Sequence, residues 1–233
     1  MSKVPNSQYN VAAPDSLPVR VATFQRRKMF ERFLQCCEIG ADDTLLDVGV
    51  TSNRSYASSN YLEAWFPTKH AITAVGIDDA GFLESLYPGM RFVRGNGLSL
   101  PFKDRSFDFV HASAVIEHVG SFAHQVELIA ESARVCRKGF FITTPNPWFP
   151  IEFHTVLPVV HWLPKSMFRT LMRKSGRDFF ADENNLNLMT RRELLQAAAT
   201  ATGRQGLSLD VRVETVSLCG WPSNLLLVGK VRH

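Results

Sequence analysis

The chain has 233 residues, 45% of them apolar and 21% charged, and its 26 basic and 22 acidic side chains leave a net charge of +4. That composition excludes wholesale disorder, and the length suits one substantial core with an elaboration. The basic residues are scattered, with local clusters only at Arg26 to Lys28 and Arg173 to Arg177, which permits contact with anions or a membrane surface without demanding it.

Residues 1–20 show no charged start followed by an apolar core, so they read as a flexible N-terminal arm and not as a signal peptide; a single domain is expected over 21–233. From Arg26, "RRKMFERFLQCCEIG" places Met29, Phe30, Phe33, Leu34 and Cys37 on one helical face, with Gly40 as the stop. Short apolar runs at 44–48, 71–77, 91–94, 107–114 and 140–144 alternate with helical patterns, which predicts a parallel sheet. Before the last of these, "SFAHQVELIAESARVCRKG" repeats Phe122, Val126, Ile129, Ala133 and Cys136 at helical spacing. Arg134, Arg137 and Lys138 suit the C-terminal dipole of that helix, and Gly139 is its expected end.

An insertion at about 145–189 interrupts the alternation. Thr190 and Glu193 then have capping-box spacing at the start of a helix expected to close at Gly203. The runs 207–218 and 224–231, separated by "CGWPS", read as an antiparallel hairpin at a sheet edge. The predicted fold is therefore α/β: a Rossmann-like doubly wound sheet of about seven strands, mostly parallel with a C-terminal antiparallel hairpin. Cys36, Cys37, Cys136 and Cys219 have no CxxC spacing, and a reducing, cytoplasmic compartment fits them best.

In such a sheet, ligands sit beyond the carboxyl ends of the strands. Four clusters occupy those ends: "DVGVTSN" with Asp47, Gly49, Thr51 and Ser52; "GIDDA" with Asp78 and Asp79; "GNGLSLPF" with Asn96, Gly97 and Leu98; and "SAVIEHV" with Ser113, Glu117 and His118. With "LPFKDRSFD" and "EHV", they make the stretch from about Thr44 to Thr144 resemble the class I S-adenosylmethionine-dependent methyltransferases. The nearest likeness is to the broad subgroup acting on small molecules, lipids and other metabolites. The resemblance implies S-adenosylmethionine as cofactor, with its ribose hydroxyls on Asp78 and its adenine among Asn96, Gly97 and Leu98. It implies further cofactor contacts from Asp47, Gly49, Thr51, Ser52, Asp79, Ser113 and Glu117. Asp47 either touches the ligand or orients the glycine loop, and Glu117 either faces the sulfonium or starts a helix.

Two departures accompany the resemblance. The loop after the first strand keeps Gly49 but lacks the later glycines, and Asn96 stands where the family commonly has Asp. A pyrophosphate needs the full GxGxxG turn, so NAD and FAD are disfavoured. A methionine carboxylate and ammonium need hydrogen-bond partners instead, which Thr51, Ser52 and Asn53 can supply.

The apolar run from Trp148 to Leu163 is broken by Pro150, Glu152, His154, Pro158 and His161, too short and too polar to span a bilayer. It suits a lid over the acceptor, a segment that seeks the membrane periphery with help from Lys165, Arg169, Arg173, Lys174 and Arg177, or a buried helical subdomain. His154, two residues from Glu152, is the expected base for a hydroxyl acceptor, with His118 as its competitor and a packed, non-catalytic histidine as the bland reading. The expected activity is metal-independent methyl transfer to a small-molecule or lipid-linked acceptor, at oxygen in preference to other atoms. The alternative is a catalytically inactive S-adenosylmethionine-binding or regulatory protein. Nucleic acid is disfavoured as a partner, because neither an appended basic domain nor aromatics interleaved with Lys and Arg are present.

Overall fold

The structure is a computed structural model and describes residues 16–54, 58–205 and 208–232. Seven strands, β1 (Leu45–Val48), β2 (Ile72–Gly76), β3 (Arg91–Arg94), β4 (Phe107–Ser113), β5 (Cys136–Pro145), β6 (Leu209–Leu218) and β7 (Trp221–Val231), form one sheet in the order β3-β2-β1-β4-β5-β7-β6. The first five run parallel, and β7 is antiparallel to both β5 and β6. This is the expected doubly wound α/β sheet. Among the described residues seven α-helices accompany it: α1 (Leu17–Cys37), α2 (Tyr61–Trp65), α3 (Phe82–Leu86), α4 (Phe122–Val135), α5 (Lys165–Lys174), α6 (Asp178–Ala181) and α7 (Arg191–Gln205).

Alternation along the central strands sorts their side chains onto two faces. Leu46, Val48, Val110 and Ile142 meet Ile129 and Ala133 of α4 and Leu194 and Ala198 of α7. Leu45, Phe109, Phe141 and Leu226 meet Met29 and Phe33 of α1 and Leu62 of α2. β1 pairs with β2 on one side and β4 on the other, so the order reverses there, and the loops after β1 and β4 diverge around a crevice. The insertion carries a separate small core of Met172, Phe180, Ala181 and Leu186.

Several element boundaries differ from expectation. α1 begins at Leu17, so Leu17 to Arg20 of the supposed arm are helical, while residues 1–15 lie outside the described residues; its left-handed stop is Glu38 (φ 52°), ahead of Gly40. α4 ends at Val135, and β5 starts at the next residue, so Arg137 and Lys138 are strand residues and not partners of the α4 dipole. Their charges go instead to Asp108, 2.9 Å from Arg137 Nη2, and to Asp43 beside Lys138. Gly139 lies inside β5 because a Cβ there would stand 2.4 Å from the Gly229 carbonyl oxygen. α7 runs past Gly203 to Gln205, opened by the expected box: Thr190 N donates to Glu193 Oε2 (2.7 Å) and Glu193 N to Thr190 Oγ1 (3.3 Å).

The hairpin turn is shorter than "CGWPS". Cys219 (φ 51°) and Gly220 (φ 80°) make a two-residue turn, and Trp221 to Ser223 already belong to β7. The "LPFKD" signature holds the loop before β4, where Arg134 donates to the carbonyls of Leu100 (3.2 Å) and Phe102 (2.8 Å) and pairs with Asp104 (2.8 Å). Asp108 is structural as well. Arg137 and the Thr44 N–H and hydroxyl all donate to it and hold its carboxyl well below the usual range.

Close packing between β5 and β7 gives a test. A Cβ at Gly229 would lie 2.5 Å from the ring of Phe140, which is fully buried. Gly229→Ala is expected to cost about 1–3 kcal/mol by overpacking, read as a lower urea midpoint with an unchanged slope. An unmoved midpoint would contradict this account of the β5–β7 contact.

Candidate active site

The loop after β1 holds its shape without the later glycines. Gly49 (φ 97°) and Val50 both donate their N–H groups to the Val75 carbonyl, at 2.7 and 3.1 Å. Asn60, just before α2, then pins Thr51 from both sides: its Oδ1 accepts from Thr51 N (2.9 Å), and its Nδ2 donates to Thr51 O (3.0 Å). Thr51 Oγ1 accepts from Asn53 N (3.1 Å). A Cβ on Gly49 would collide with Val115 at 2.2 Å, so this glycine is required by the loop after β4 that leans on it.

Asp78 stands half-buried at the carboxyl end of β2, and its carboxylate has no hydrogen bond or ion pair among the described residues. That leaves an acceptor-only group just past the carboxyl end of β2, the kind of group that suits a diol. Asp79 is exposed and spends Oδ1 on the Gly81 N–H (2.9 Å), so it shapes the turn. Asn96 likewise accepts from Leu98 N (3.0 Å) and builds its own turn, with one lone pair of the side-chain carbonyl left over. Gly97 packs where a Cβ would meet Val48 and Leu128 at 2.9 Å. A cavity of about 480 Å³ beside the loop opens toward α3, lined by Asn53, Asn60, Phe82 and Tyr87 among others; Asp78 and Gly97 are not part of its wall.

Asp47 is turned into the protein. Its Oδ1 accepts from His111 Nδ1 (2.6 Å), and Tyr61 OH donates to His111 Nε2 (2.8 Å), under Phe33 and Phe141. Glu63 is wholly buried next to it. Burial pushes the Asp47 carboxyl up to about 7 and that of Glu63 well above its ordinary range, the latter also through the charge of Asp47; burial pulls His111 down to about 4. Of the two readings of Asp47, the structure favours orientation of the β1 end over contact with a ligand.

The ionisable residues expected to do chemistry come together beyond β4 and β5. His154 Nδ1 donates to Glu152 Oε1 (2.7 Å), whose carboxylate also accepts from the backbone N–H groups of His154 (3.0 Å) and Thr155 (2.5 Å). His154 Nε2 lies 3.1 Å from His118 Nε2, and His118 Nδ1 donates to the Asn185 carbonyl (2.6 Å). Glu117 is fully buried, with Oε2 accepting from Thr144 Oγ1 (3.0 Å) and Oε1 lacking a hydrogen-bond partner. Burial pushes Glu117 up to about 7 and pulls His118 down to about 3. Burial also opposes ionisation of Glu152, but the His154 charge and the donated hydrogen bonds outweigh it and hold that carboxyl at about 2. Ser113, by contrast, lies 3.0 Å from Thr143 Oγ1 and beside Tyr61 of the Asp47 network.

Residues 46–143 match a family described as "Methyltransferase domain". Over that stretch the chain is similar to the methyltransferase family. The fold is shared with solved structures of low identity. A protein of Pyrococcus horikoshii is 13% identical with a TM-score of 0.59, over 96% of this chain and 98% of that one. A SAM-dependent methyltransferase of Methanosarcina mazei is 18% identical with a TM-score of 0.53, over 83% and 94%. A putative methyltransferase of Haloferax volcanii, solved with the Trm112 methyltransferase activator, is 15% identical with a TM-score of 0.52, over 94% and 99%. Comparison with curated proteins finds no match.

Two residues around the site escaped sequence reasoning. Asn60 does the work of the lost glycines. Asn187, buried, clamps the insertion to the loop after β4: its N–H donates to the Glu117 carbonyl (2.7 Å), its Nδ2 to the Gly120 carbonyl (2.7 Å), and its own carbonyl accepts from Gln125 (2.8 Å). Neither has a periodic signature: Asn60 follows Ser58 and Ser59, and Asn187 closely follows Asn184 and Asn185, so both read as ordinary polar loop residues.

The buried acids predict a pH dependence of stability. A carboxyl whose folded pKa exceeds its unfolded value near 4 adds stability that is complete below that value and lost as pH rises through the folded pKa. Glu63→Gln removes one such group. Its stability relative to the parent should therefore grow between about pH 5 and pH 8 in urea unfolding. A difference that stays flat across that range would show that Glu63 is ionised without penalty in the fold.

Proposed function

We propose that the chain transfers a methyl group from S-adenosylmethionine to a hydroxyl of a small-molecule or lipid-linked acceptor bound beneath the insertion. The observation that carries this reading is the line Glu152–His154–His118 beyond the ends of β4 and β5, roofed by an apolar segment. A bound S-adenosylmethionine supplies an electrophilic methyl: its sulfur–methyl bond breaks with the electron pair left on sulfur, an oxygen–methyl bond forms, and the acceptor proton departs.

Asp78 would hold the ribose, the turn at Asn96 to Leu98 the adenine, and Thr51 to Asn53 the amino-acid end. His118 and His154 are then the catalytic residues at the acceptor hydroxyl, and Glu152 is the positioning residue that fixes the His154 ring. Alignment of acceptor oxygen and methyl supplies most of the rate, and loss of the hydroxyl proton the remainder.

Acceptor size and character follow from the insertion. A cavity of about 240 Å³ is lined by Trp148, Trp162, Phe168, Lys165 and Asn187, the last of these being the clamp on the Glu117 loop. Outside it, Trp148, Val159, Trp162, Met167 and Leu171 are exposed next to Lys165, Arg169, Arg173 and Lys174. Exposed apolar groups ringed by cations suit a lipid-linked acceptor presented at an anionic membrane surface. No helix among the described residues is long and apolar enough to cross a membrane. Phe149, by contrast, is buried and stacks on Phe153 at 5.2 Å, so it supports the insertion and does not touch an acceptor.

Two substitutions test the reading. Asp78→Ala removes a charge-assisted hydrogen bond worth about 1.5–3 kcal/mol, so S-adenosylmethionine should bind about tenfold to a hundredfold more weakly by calorimetry. Equal affinity would refute the placement of the ribose. His154→Ala should lower kcat by about 10² to 10⁴ while cofactor affinity stays within a few-fold. Full turnover in that variant would take His154 out of the chemistry.

A further inference from the structure

Hydrogen positions around the two histidines are dictated by their partners. The Asn185 carbonyl can only accept, so His118 carries its hydrogen on Nδ1. Glu152 already accepts from two backbone N–H groups, and as a carboxylate it can only accept again, so His154 carries its hydrogen on Nδ1 too. In their neutral forms both rings therefore aim the Nε2 lone pair at each other, 3.1 Å apart. Lone pairs at that separation repel unless a positive centre joins them.

A proton would join the two nitrogens and nothing more. It would leave Glu117 Oε1 as it stands, buried without a donor and 3.9 Å from His118 Nε2. A divalent cation satisfies all three atoms at once. The ligand atoms of Glu117, His118 and His154 lie within 4.8 Å of one another. For metal–nitrogen bonds of about 2.1 Å, two imidazoles on one ion stand about 3.0 Å apart at a right angle and about 3.4 Å apart at the tetrahedral angle, and the observed spacing falls between the two. We infer that Glu117, His118 and His154 form a binding site for one divalent transition-metal ion, with Glu152 and the Asn185 carbonyl as its outer shell.

The ligand set also selects the ion. Two imidazoles and one carboxylate suit zinc, manganese or ferrous iron, whereas calcium and magnesium favour all-oxygen surroundings. Three protein ligands leave at least one coordination position open, the mark of a site that meets substrate. Glu152 and Asn185 fix the tautomer and direction of each ring, as outer-shell acceptors on metal-bound histidines do. The expectation of a metal-independent enzyme came from spacing alone: His118 and His154 lie 36 positions apart in no common motif. With an ion in place the two Nε2 atoms would serve as its ligands, and the ion would act as a Lewis acid at the acceptor hydroxyl that the proposed function assigns to His118 and His154. That role rests on the proposed methyl transfer; the binding of an ion does not.

The test uses the full-length chain, with the exposed Cys219 changed to Ser, stripped by chelator and titrated with Zn²⁺, Mn²⁺ and Co²⁺. One ion per chain should bind, and Co²⁺ should show the visible absorption of a low-symmetry nitrogen and oxygen site. His118→Ala should abolish the stoichiometric binding and the Co²⁺ spectrum, and the isosteric Glu117→Gln should weaken binding while retaining the cooperative unfolding transition. Glu152→Gln should weaken it about tenfold to a hundredfold. Absence of a bound ion, or ion binding unchanged in both His118→Ala and Glu117→Gln, would overturn the inference. S-adenosylmethionine binding and methyl transfer are measured on the same stripped samples. An ion bound at these residues in a protein that methylates no acceptor would leave the site standing and remove the proposed reaction. Undiminished transfer by stripped protein that binds no ion would do the reverse.

Discussion

The continuous hydrogen-bond line from Glu152 through His154 and His118 to the Asn185 carbonyl ties both ends of the insertion to the loop after β4. Two imidazoles and two carboxylates are buried there with most of their polar atoms matched, Glu117 Oε1 being the exception, because an unmatched ionisable group in the interior costs several kcal/mol. The insertion therefore does more than cover the sheet. It brings Glu152 from its early part and Asn185 and Asn187 from its late part to the same few ångströms around Glu117 and His118. Its small core of Met172, Phe180 and Leu186 keeps those two parts together.

The same constraint separates two buried polar networks on opposite sides of the crevice. Asp47, His111, Tyr61 and Glu63 lie under α1 and α2, sealed by Phe33 and Phe141, and stiffen the ends of β1 and β4. Glu117, His118, His154 and Glu152 lie beyond β4 and β5, with only the histidines slightly exposed. Burial raises a carboxyl in each network, Asp47 in the first and Glu117 in the second, each to about 7. In the second, Glu152 stays ionised next to two facing imidazole nitrogens, an arrangement suited to holding a positive centre.

Much of the fold was legible because buried parallel strands are contiguous apolar runs punctuated by turn residues, as at Leu45 to Val48 and Phe107 to Ser113. The placement of Asp78, Glu117 and His118 just past the ends of β2 and β4 was legible for a related reason, because the strand ends were readable. The misplaced boundaries have local causes. Cys136 continues the helical phase of α4, so periodicity alone carries the helix into β5. Trp221, Pro222 and Ser223 imitate a turn, yet Pro222 is tolerated in β7 because it pairs with Ser217 beside a register shift, where a missing N–H matters least. Asn60, Asn187 and the meeting of His118 with His154 were not legible. They are long-range side-chain bonds, and no periodic or local pattern encodes them.

The central claim is that the cofactor lies across the ends of β1, β2 and β3 with its reacting end directed at the His118–His154 pair. A crystal structure with S-adenosylhomocysteine tests it most directly. The account predicts the ribose hydroxyls on Asp78, the adenine against the Asn96 to Leu98 turn and the thioether sulfur facing the two imidazoles under the insertion. A ligand seated instead in the cavity between Asn53, Phe82 and Tyr87, with its sulfur directed away from His118 and His154, would contradict it.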